Sequence, residues 1–443
     1  MSLINRVTAT LREDELTRRV LASSGVLLSS NSIALALSVL QSILAARLLG
    51  AAGFGLLAIV MGYASTVNGL LSFRMSEAVV RYGGEFLQKG EDRRAAALLK
   101  AAGLTEAVVS ALAFLVVALT STLAARYIAK DAGSAALFPL LAIGLLCNFS
   151  TETGTGVLQA LGRIRFQGVI HLVQAAVTSA LMLLVYILNG DLLLVLGVYL
   201  VGKAITGLGT SVYAAVLATR RLGRGWWTTP LAELPRLREL ARFALSSNLS
   251  ATAILVFRES EVLWVGFFLT SEAAGLYKAA YGIISLLSVP ANPLILSTYP
   301  EINDIVVQRA WARLRGFLRR ITSLAFVYNV VLAAVFVILG RWLLRIYGPE
   351  YVAGYAALLA LLVGLVFNYV LFWNRPLLLA LGLPSFPLKV ITTAGLVKTA
   401  LAFLLVPTFG IVAAAALLSF YYVASVGTMA WRGWSEIRRR EAV

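Results

Sequence analysis

The chain has 443 residues, of which 60% are hydrophobic types and 13% charged, with a net charge of +17 and a mean hydropathy of +0.86. Soluble domains carry about 25% charged residues, so this composition excludes a soluble enzyme, a secreted disulfide scaffold and a disordered chain, and predicts an integral membrane protein. One cysteine, Cys147, and one histidine, His171, exclude an intramolecular disulfide, a His/Cys metal cluster and a histidine-based triad; no metal or other cofactor is expected. The basic excess is the expected mark of cytoplasmic loops, which makes membrane lipids, and not nucleic acid, the partners it implies.

The first twenty residues, through REDELTRR, are too polar for a signal-peptide core. Twelve apolar runs follow, at roughly 21–47, 54–73, 101–123, 135–158, 167–189, 192–218, 243–269, 274–298, 321–344, 352–379, 388–408 and 410–431. They are too long and continuous for outer-membrane strands. The predicted fold class is all-α, a polytopic membrane protein whose helices satisfy their own backbone groups in lipid. With the N-terminus inside, 28 of the 38 basic residues fall in cytoplasmic segments and five in outer loops. That asymmetry places both termini in the cytoplasm.

The two halves read as copies. LQALGRIRFQ at 158–167 matches LLALGLPSFP at 378–387, an offset of 220 that also pairs Gly55 with Gly275, Tyr127 with Tyr347, Gly144 with Gly364 and Asn148 with Asn368. LSSN at 28–31 returns at 245–248. Six spans per copy is an even number, so both halves enter the membrane alike. The predicted organisation is an N-terminal six-helix lobe at 1–220, a cytoplasmic linker at 221–242 and a C-terminal lobe at 243–443. Parallel repeats of this kind place a substrate path near the midplane; no selectivity-filter segment is present to suggest a channel.

Charges inside the spans are the candidate site, because an unsupported mid-bilayer charge costs about 2.5–3.5 kcal/mol. Five basic residues lie there, Lys203, Arg258, Lys278, Arg375 and Lys398, together with the carboxylates of Glu152, Glu259 and Glu261. At 1.5 Å per residue, Arg258 is about 3 Å from the middle of its span and Glu261 about 7 Å outward, Lys203 and Lys398 are near mid-span, and Lys278 and Arg375 are about 12 Å off, within snorkelling reach. Arg258 and Glu261, three apart on a helix, are expected to share a face and pair, while Glu259 points about 100° away. Glu152 reads either as a proton-coupling carboxylate or as a partner for Arg375 or Lys203. The cationic surplus favours an anionic substrate such as a phosphate or diphosphate. His171 reads as a satisfied interior or interfacial residue, and Asn31 and Asn248 as interhelical hydrogen-bonders.

Outside the spans, LAELPRLRELARFAL in the linker and PEINDIVVQRAWARLRGFLRR at 300–320 have apolar residues at helical spacing with arginines between, and read as interfacial amphipathic helices, with Trp226 and Trp227 as headgroup anchors. Residues 4–19 are a weaker third case. No P-loop and no nucleophile elbow is present, so transport is not expected to be powered by ATP hydrolysis on this chain.

Several segments carry a resemblance. ARLLGAAGFGLLAIV at 45–59, EVLWVGFFLTSEAAGLYKAAYGI at 261–283, YPEIND at 299–304, YGPEYVAGYAALLALL at 347–362 and LQALGRIRFQ at 158–167 resemble polysaccharide-biosynthesis flippases. These form the O-antigen and exopolysaccharide branch of the multidrug/oligosaccharidyl-lipid/polysaccharide exporter superfamily. The resemblance implies two six-helix lobes forming a V, alternating access to a central cavity, and transfer of undecaprenyl-diphosphate-linked oligosaccharide across the bacterial cytoplasmic membrane. It implies lipid-linked oligosaccharide as substrate and the polysaccharide polymerase machinery as a candidate partner. Carried over residue by residue, Arg258 matches the family's basic position, and Glu261 stands where many members have Asp, with proton or cation coupling as the implied role. Two other transport readings stay open, a multidrug/cation antiporter of the same architecture, which would want an acidic cavity, and a lipid II flippase, which usually carries two further C-terminal spans. A non-transporting scaffold in a glycan assembly complex is a third class, disfavoured by the buried charges.

Overall fold

The structure is a computed structural model that describes residues 15–73, 75–234 and 252–441, the side chains of 15–32 and 289–297 excepted. The described residues are helices and short turns, without strands. Among the described residues, eight helices are long and apolar enough to cross a bilayer: Ile33–Leu71, Asp92–Ala129, Ala132–Ala160, Arg165–Ile187, Leu192–Leu222, Trp311–Tyr347, Pro349–Ala380 and Ser385–Glu441. The first and last bend at Gly50 and Gly410, whose φ values of 64° and 65° are left-handed, and each holds two of the expected spans. The remaining two spans are made of shorter pieces, Leu255–Glu259, Glu261–Phe268, Ser271–Ser285 and Ser288–Val307, with the start of the first outside the described residues. Leu119 and Ile338 are 80% and 77% exposed; side chains of that size standing free on apolar helices suit contact with lipid, not water.

The repeat recurs in the backbone. Turns with positive φ fall at Gly90 and Arg309, Lys130 and Gly348, Gly162 and Gly382, and Asn189 and Gly410. Each pair is separated by nearly the offset found in the sequence. Arg165 and Ser385 begin equivalent helices directly after Gly162 and Gly382. The fourth and tenth expected spans both break in the middle, at 147–150 and at 371–373.

Two compact units account for the chain, one of Met1–Leu44, Leu71–Leu115 and Leu141–Asn248, the other of Ala45–Leu70, Val116–Leu140 and Leu249–Val443. In the first, Gln41 donates to the Ala175 carbonyl at 3.1 Å and to Ser179 at 2.8 Å. Gly207 crosses so near the Cys147 carbonyl that a Cβ would lie 2.3 Å from its oxygen. In the second, the repeat-related glycines meet each other. A Cβ on Gly55 would lie 1.7 Å from the Ser271 oxygen, and one on Gly275 would lie 2.1 Å from the Ala51 oxygen. Tyr351 and Tyr347 pack on Phe54, with ring centroids 6.1 and 6.5 Å away, and Arg47 donates to the Ile346 carbonyl at 2.7 Å.

One expected amphipathic helix differs from the reading, and the other lies mostly outside the described residues. Residues 300–320 are not one helix: Ser288–Val307 ends, Arg309 takes a φ of 53°, and Trp311–Tyr347 begins. The apolar spacing is shared by the ends of two successive helices, and Ile302, Ile305, Leu314 and Leu318 bury in one cluster with Trp373. In the linker, Leu231–Glu233 is a single 3₁₀ turn, and residues 235–251 lie outside the described residues, as do Asn248, the side chain of Asn31 and most of 4–19. The turn is fastened to the first unit, where Lys100 donates to the Thr229 carbonyl at 3.1 Å and Leu234 buries with Phe86 and Leu98.

Candidate functional site

Arg258 sits in a π turn, Leu255–Glu259, which ends at Ser260. A π turn holds more than four residues per revolution and is often a functional feature. Here it cancels the register that would place Arg258 and Glu261 on one face, and the expected pair between them is not formed. Glu261 bonds Lys398 of the last helix instead. Both side chains are buried, 7% and 4% exposed. The Lys398 ammonium also donates to the Phe257 carbonyl at 2.6 Å and lies 5.9 Å from the Tyr421 ring. Glu259 is exposed.

Freed from Glu261, Arg258 faces a cavity of about 500 Å³ within the second unit. Its guanidinium lies 5.7 Å from the Tyr422 ring centroid, and its buried Nε has no hydrogen-bond partner. The cavity is walled by Tyr281 and Ser285 of Ser271–Ser285, Asn368 and Tyr369 of Tyr355–Val370, and Tyr421, Tyr422, Ser425 and Met429 of the last helix. Its remaining side is set by the break at 371–373, after which Asn374 and Arg375 open the helix Asn374–Ala380 into the cavity. Two arginines and no carboxylate line it among the described residues. Charge in an apolar bundle is costly unless it is paired, so Arg258, with its unpartnered Nε, is suited to a charge-assisted hydrogen bond with an anion.

The other expected residues are elsewhere. Lys278 is exposed, and Lys203 is half-buried with its stem against Gly144. Glu152 is not paired with Lys203; it accepts from Ser76 at 2.5 Å. That contact exists because Glu152 begins the helix Thr151–Ala160, whose first N–H groups are taken by a second carboxylate, Glu106. Glu106 is 7% exposed and accepts from the backbone N–H groups of Glu152 and Thr153 at 2.7 and 2.9 Å. A carboxylate at a helix N-terminus meets both free donors and the positive end of the dipole. His171 is exposed.

Sequence reasoning missed Glu106, although it stands inside the apolar run 101–123, and missed the cavity tyrosines and Asn374. The signals were present: a tyrosine pair at 421–422 within the last apolar run, and the polar pair Asn374–Arg375 interrupting another.

Residues 20–306 match the family described as polysaccharide biosynthesis protein. No curated protein matches the chain. Among solved structures, an inward-facing multidrug resistance MATE family transporter of the MOP superfamily superposes with a TM-score of 0.73 at 15% identity, over 92% of this chain and 95% of that one. A MOP superfamily transporter from Pyrococcus furiosus, described as having a binding pocket of reverse polarity that suggests a different function, gives 0.66 at 15% identity, over 97% and 98%. A MATE structure in a bent conformation gives 0.61 at 16% identity, over 98% and 97%. At these identities the likeness is one of fold, and the fold is that of polytopic MOP-superfamily transporters.

Proposed function

The chain belongs to the polysaccharide biosynthesis protein family, and on that premise we propose that it is a flippase moving undecaprenyl-diphosphate-linked oligosaccharide repeat units across the cytoplasmic membrane. Transport is by alternating access between two six-helix lobes, 1–220 and 243–443, with both termini in the cytoplasm. The observation that carries the substrate charge is the cavity with Arg258 and Arg375 and no carboxylate among its lining residues. A diphosphate brings negative charge and acceptor oxygens to Arg258, whose buried Nε has no hydrogen-bond partner. A cationic drug would meet the same arginines as like charges, which argues against the multidrug/cation antiporter. The relative described as reversed in pocket polarity illustrates that one MOP fold accommodates pockets of different charge.

The test is complementation of a deletion strain with wild type, Arg258→Ala or Arg258→Lys at matched membrane levels, reading surface polysaccharide and the lipid-linked repeat units kept in the inner leaflet. Loss of one charge-assisted contact is worth about 1.5–3 kcal/mol, so export by the Ala variant should fall at least about tenfold with inward-facing substrate accumulating, and Lys should restore part of it. Normal export by a folded Ala variant would remove Arg258 from the site. A deletion strain with unchanged polysaccharide would remove the flippase reading itself.

A further inference from the structure

The π turn that frees Arg258 is held from outside its own helix. Its defining bond runs from the Ser260 N–H back five residues to the Leu255 carbonyl, at 3.0 Å. Such turns are rare interruptions of α-helices, so this one needs support that a regular helix does not. Two of its carbonyls accept from side chains, Val256 from the Ser260 hydroxyl at 2.6 Å and Phe257 from the Lys398 ammonium at 2.6 Å. Of these two donors only Lys398 comes from another helix, Ser385–Glu441. Gly395 stands three residues earlier on the same face of that helix, and the Phe257 ring occupies the place of its missing side chain. A Cβ on Gly395 would lie 2.2 Å from that ring. Phe257, the residue before Arg258, is gripped by its ring and by its carbonyl.

This grip decides where the arginine points. In a regular α-helix Arg258 would share a face with Glu261, three residues on, in packed surroundings that leave Glu261 6% exposed. With the π turn in place it faces the cavity instead, over the Tyr422 ring. Lys398 does not line that cavity, and neutralising Glu261 would otherwise be its whole task. We infer that Lys398 is the positioning residue of Arg258. By donating to the Phe257 carbonyl it keeps the turn in its π form and the guanidinium turned to the cavity. The orientation follows from the geometry alone; its consequence for transport rests on the flippase reading. The two tasks of Lys398 are separable, because one acts through the side chain of Glu261 and the other through a backbone carbonyl that no substitution at 261 removes.

The full chain in lipid nanodiscs would be treated with phenylglyoxal, an arginine reagent, and the modification rate of Arg258 followed by peptide mass spectrometry against Arg126, an exposed arginine. Lys398→Met should slow modification of Arg258 at least about tenfold, the worth of one charge-assisted hydrogen bond. Lys398→Met combined with Glu261→Leu buries no charge, so it keeps the test open if the single variant fails to fold, and it should be slowed as much. Glu261→Gln, which leaves Lys398 on the Phe257 carbonyl, should react within about twofold of wild type, and Lys398→Arg should recover part of the rate. A folded double variant that reacts as wild type does would overturn the inference, since Lys398 would then only neutralise Glu261. So would a Glu261→Gln variant slowed as far as Lys398→Met, which would give the positioning to the ion pair. Export separates the two readings. A double variant with slowed Arg258 should export as poorly as Arg258→Ala; if it exports normally, the positioning stands and it is Arg258 that leaves the transport path.

Discussion

Replacing Lys398 by Ala would leave Glu261 as a buried carboxylate without its counter-ion. Both groups are less than one-tenth exposed, so solvent screening does not discount the effect. Removing one partner of a buried pair costs about 3–5 kcal/mol. The Phe257 carbonyl, which accepts from Lys398 at 2.6 Å, loses a donor as well, for about 1 kcal/mol more. Replacing both partners by apolar residues of similar size, Lys398→Met with Glu261→Leu, removes the buried charges, leaves only the Phe257 carbonyl short of its donor, and should return stability to within about 1 kcal/mol of wild type. Equilibrium unfolding of the purified protein in mixed micelles, followed by tryptophan fluorescence, gives all four corners of the cycle. Single variants within about 1 kcal/mol of wild type, or a double variant as damaged as the two singles summed, would refute the reasoning. The double variant also separates two roles of Glu261: a stable protein that exports normally has no coupling step through that carboxylate.

Gly55→Val or Gly275→Val should abolish folded protein in the membrane, because a Cβ on Gly55 or Gly275 lands 1.7 or 2.1 Å from a backbone oxygen, well beyond the 1–3 kcal/mol of ordinary overpacking; immunoblotting of solubilised membrane against Gly84→Ala, a glycine with nothing nearby, checks it. Glu106→Ala should cost about 2–4 kcal/mol by leaving two helix N–H groups unpaired, and Glu106→Gln roughly half that, since an amide oxygen still accepts one of them; thermal unfolding in detergent measures the difference, and equal losses in the two variants would argue against capping.

Much of the architecture was legible because lipid simplifies the code. Span length and an offset of 220 needed only residue types, and the repeated turns at Gly162 and Gly382 returned that offset in the backbone. The site was less legible. Burial of charge in the spans found Arg258, Arg375, Glu261 and Lys398, but their partners depended on helical phase. The reading assumed a regular helix from Arg258 to Glu261, and nothing in LVFRES announces a π turn. Glu106 and Asn374 escaped for a different reason. Their roles are defined by backbone groups, the N–H groups of Glu152 and Thr153 and the carbonyl of Leu371, and backbone groups are the same in every sequence. The break that gives Asn374 its place falls on the apolar residues Leu371, Phe372 and Trp373, and only the polar pair after them marks it in the sequence. The segment 300–320 failed because apolar spacing cannot distinguish a helix lying on a membrane from the ends of two successive helices.

The π turn at Leu255–Glu259 also governs how relatives of this chain must be compared. A π turn is an α-helix with one residue too many, so a relative that keeps a regular helix here should be one residue shorter across this span. An ungapped comparison would then set Arg258 against a neighbour on the wrong face, and a basic residue shared by both proteins would be scored as lost. Insertions inside membrane helices are usually treated as alignment errors; at this position a one-residue gap is the physical expectation, and its presence or absence sorts relatives by which way this arginine faces.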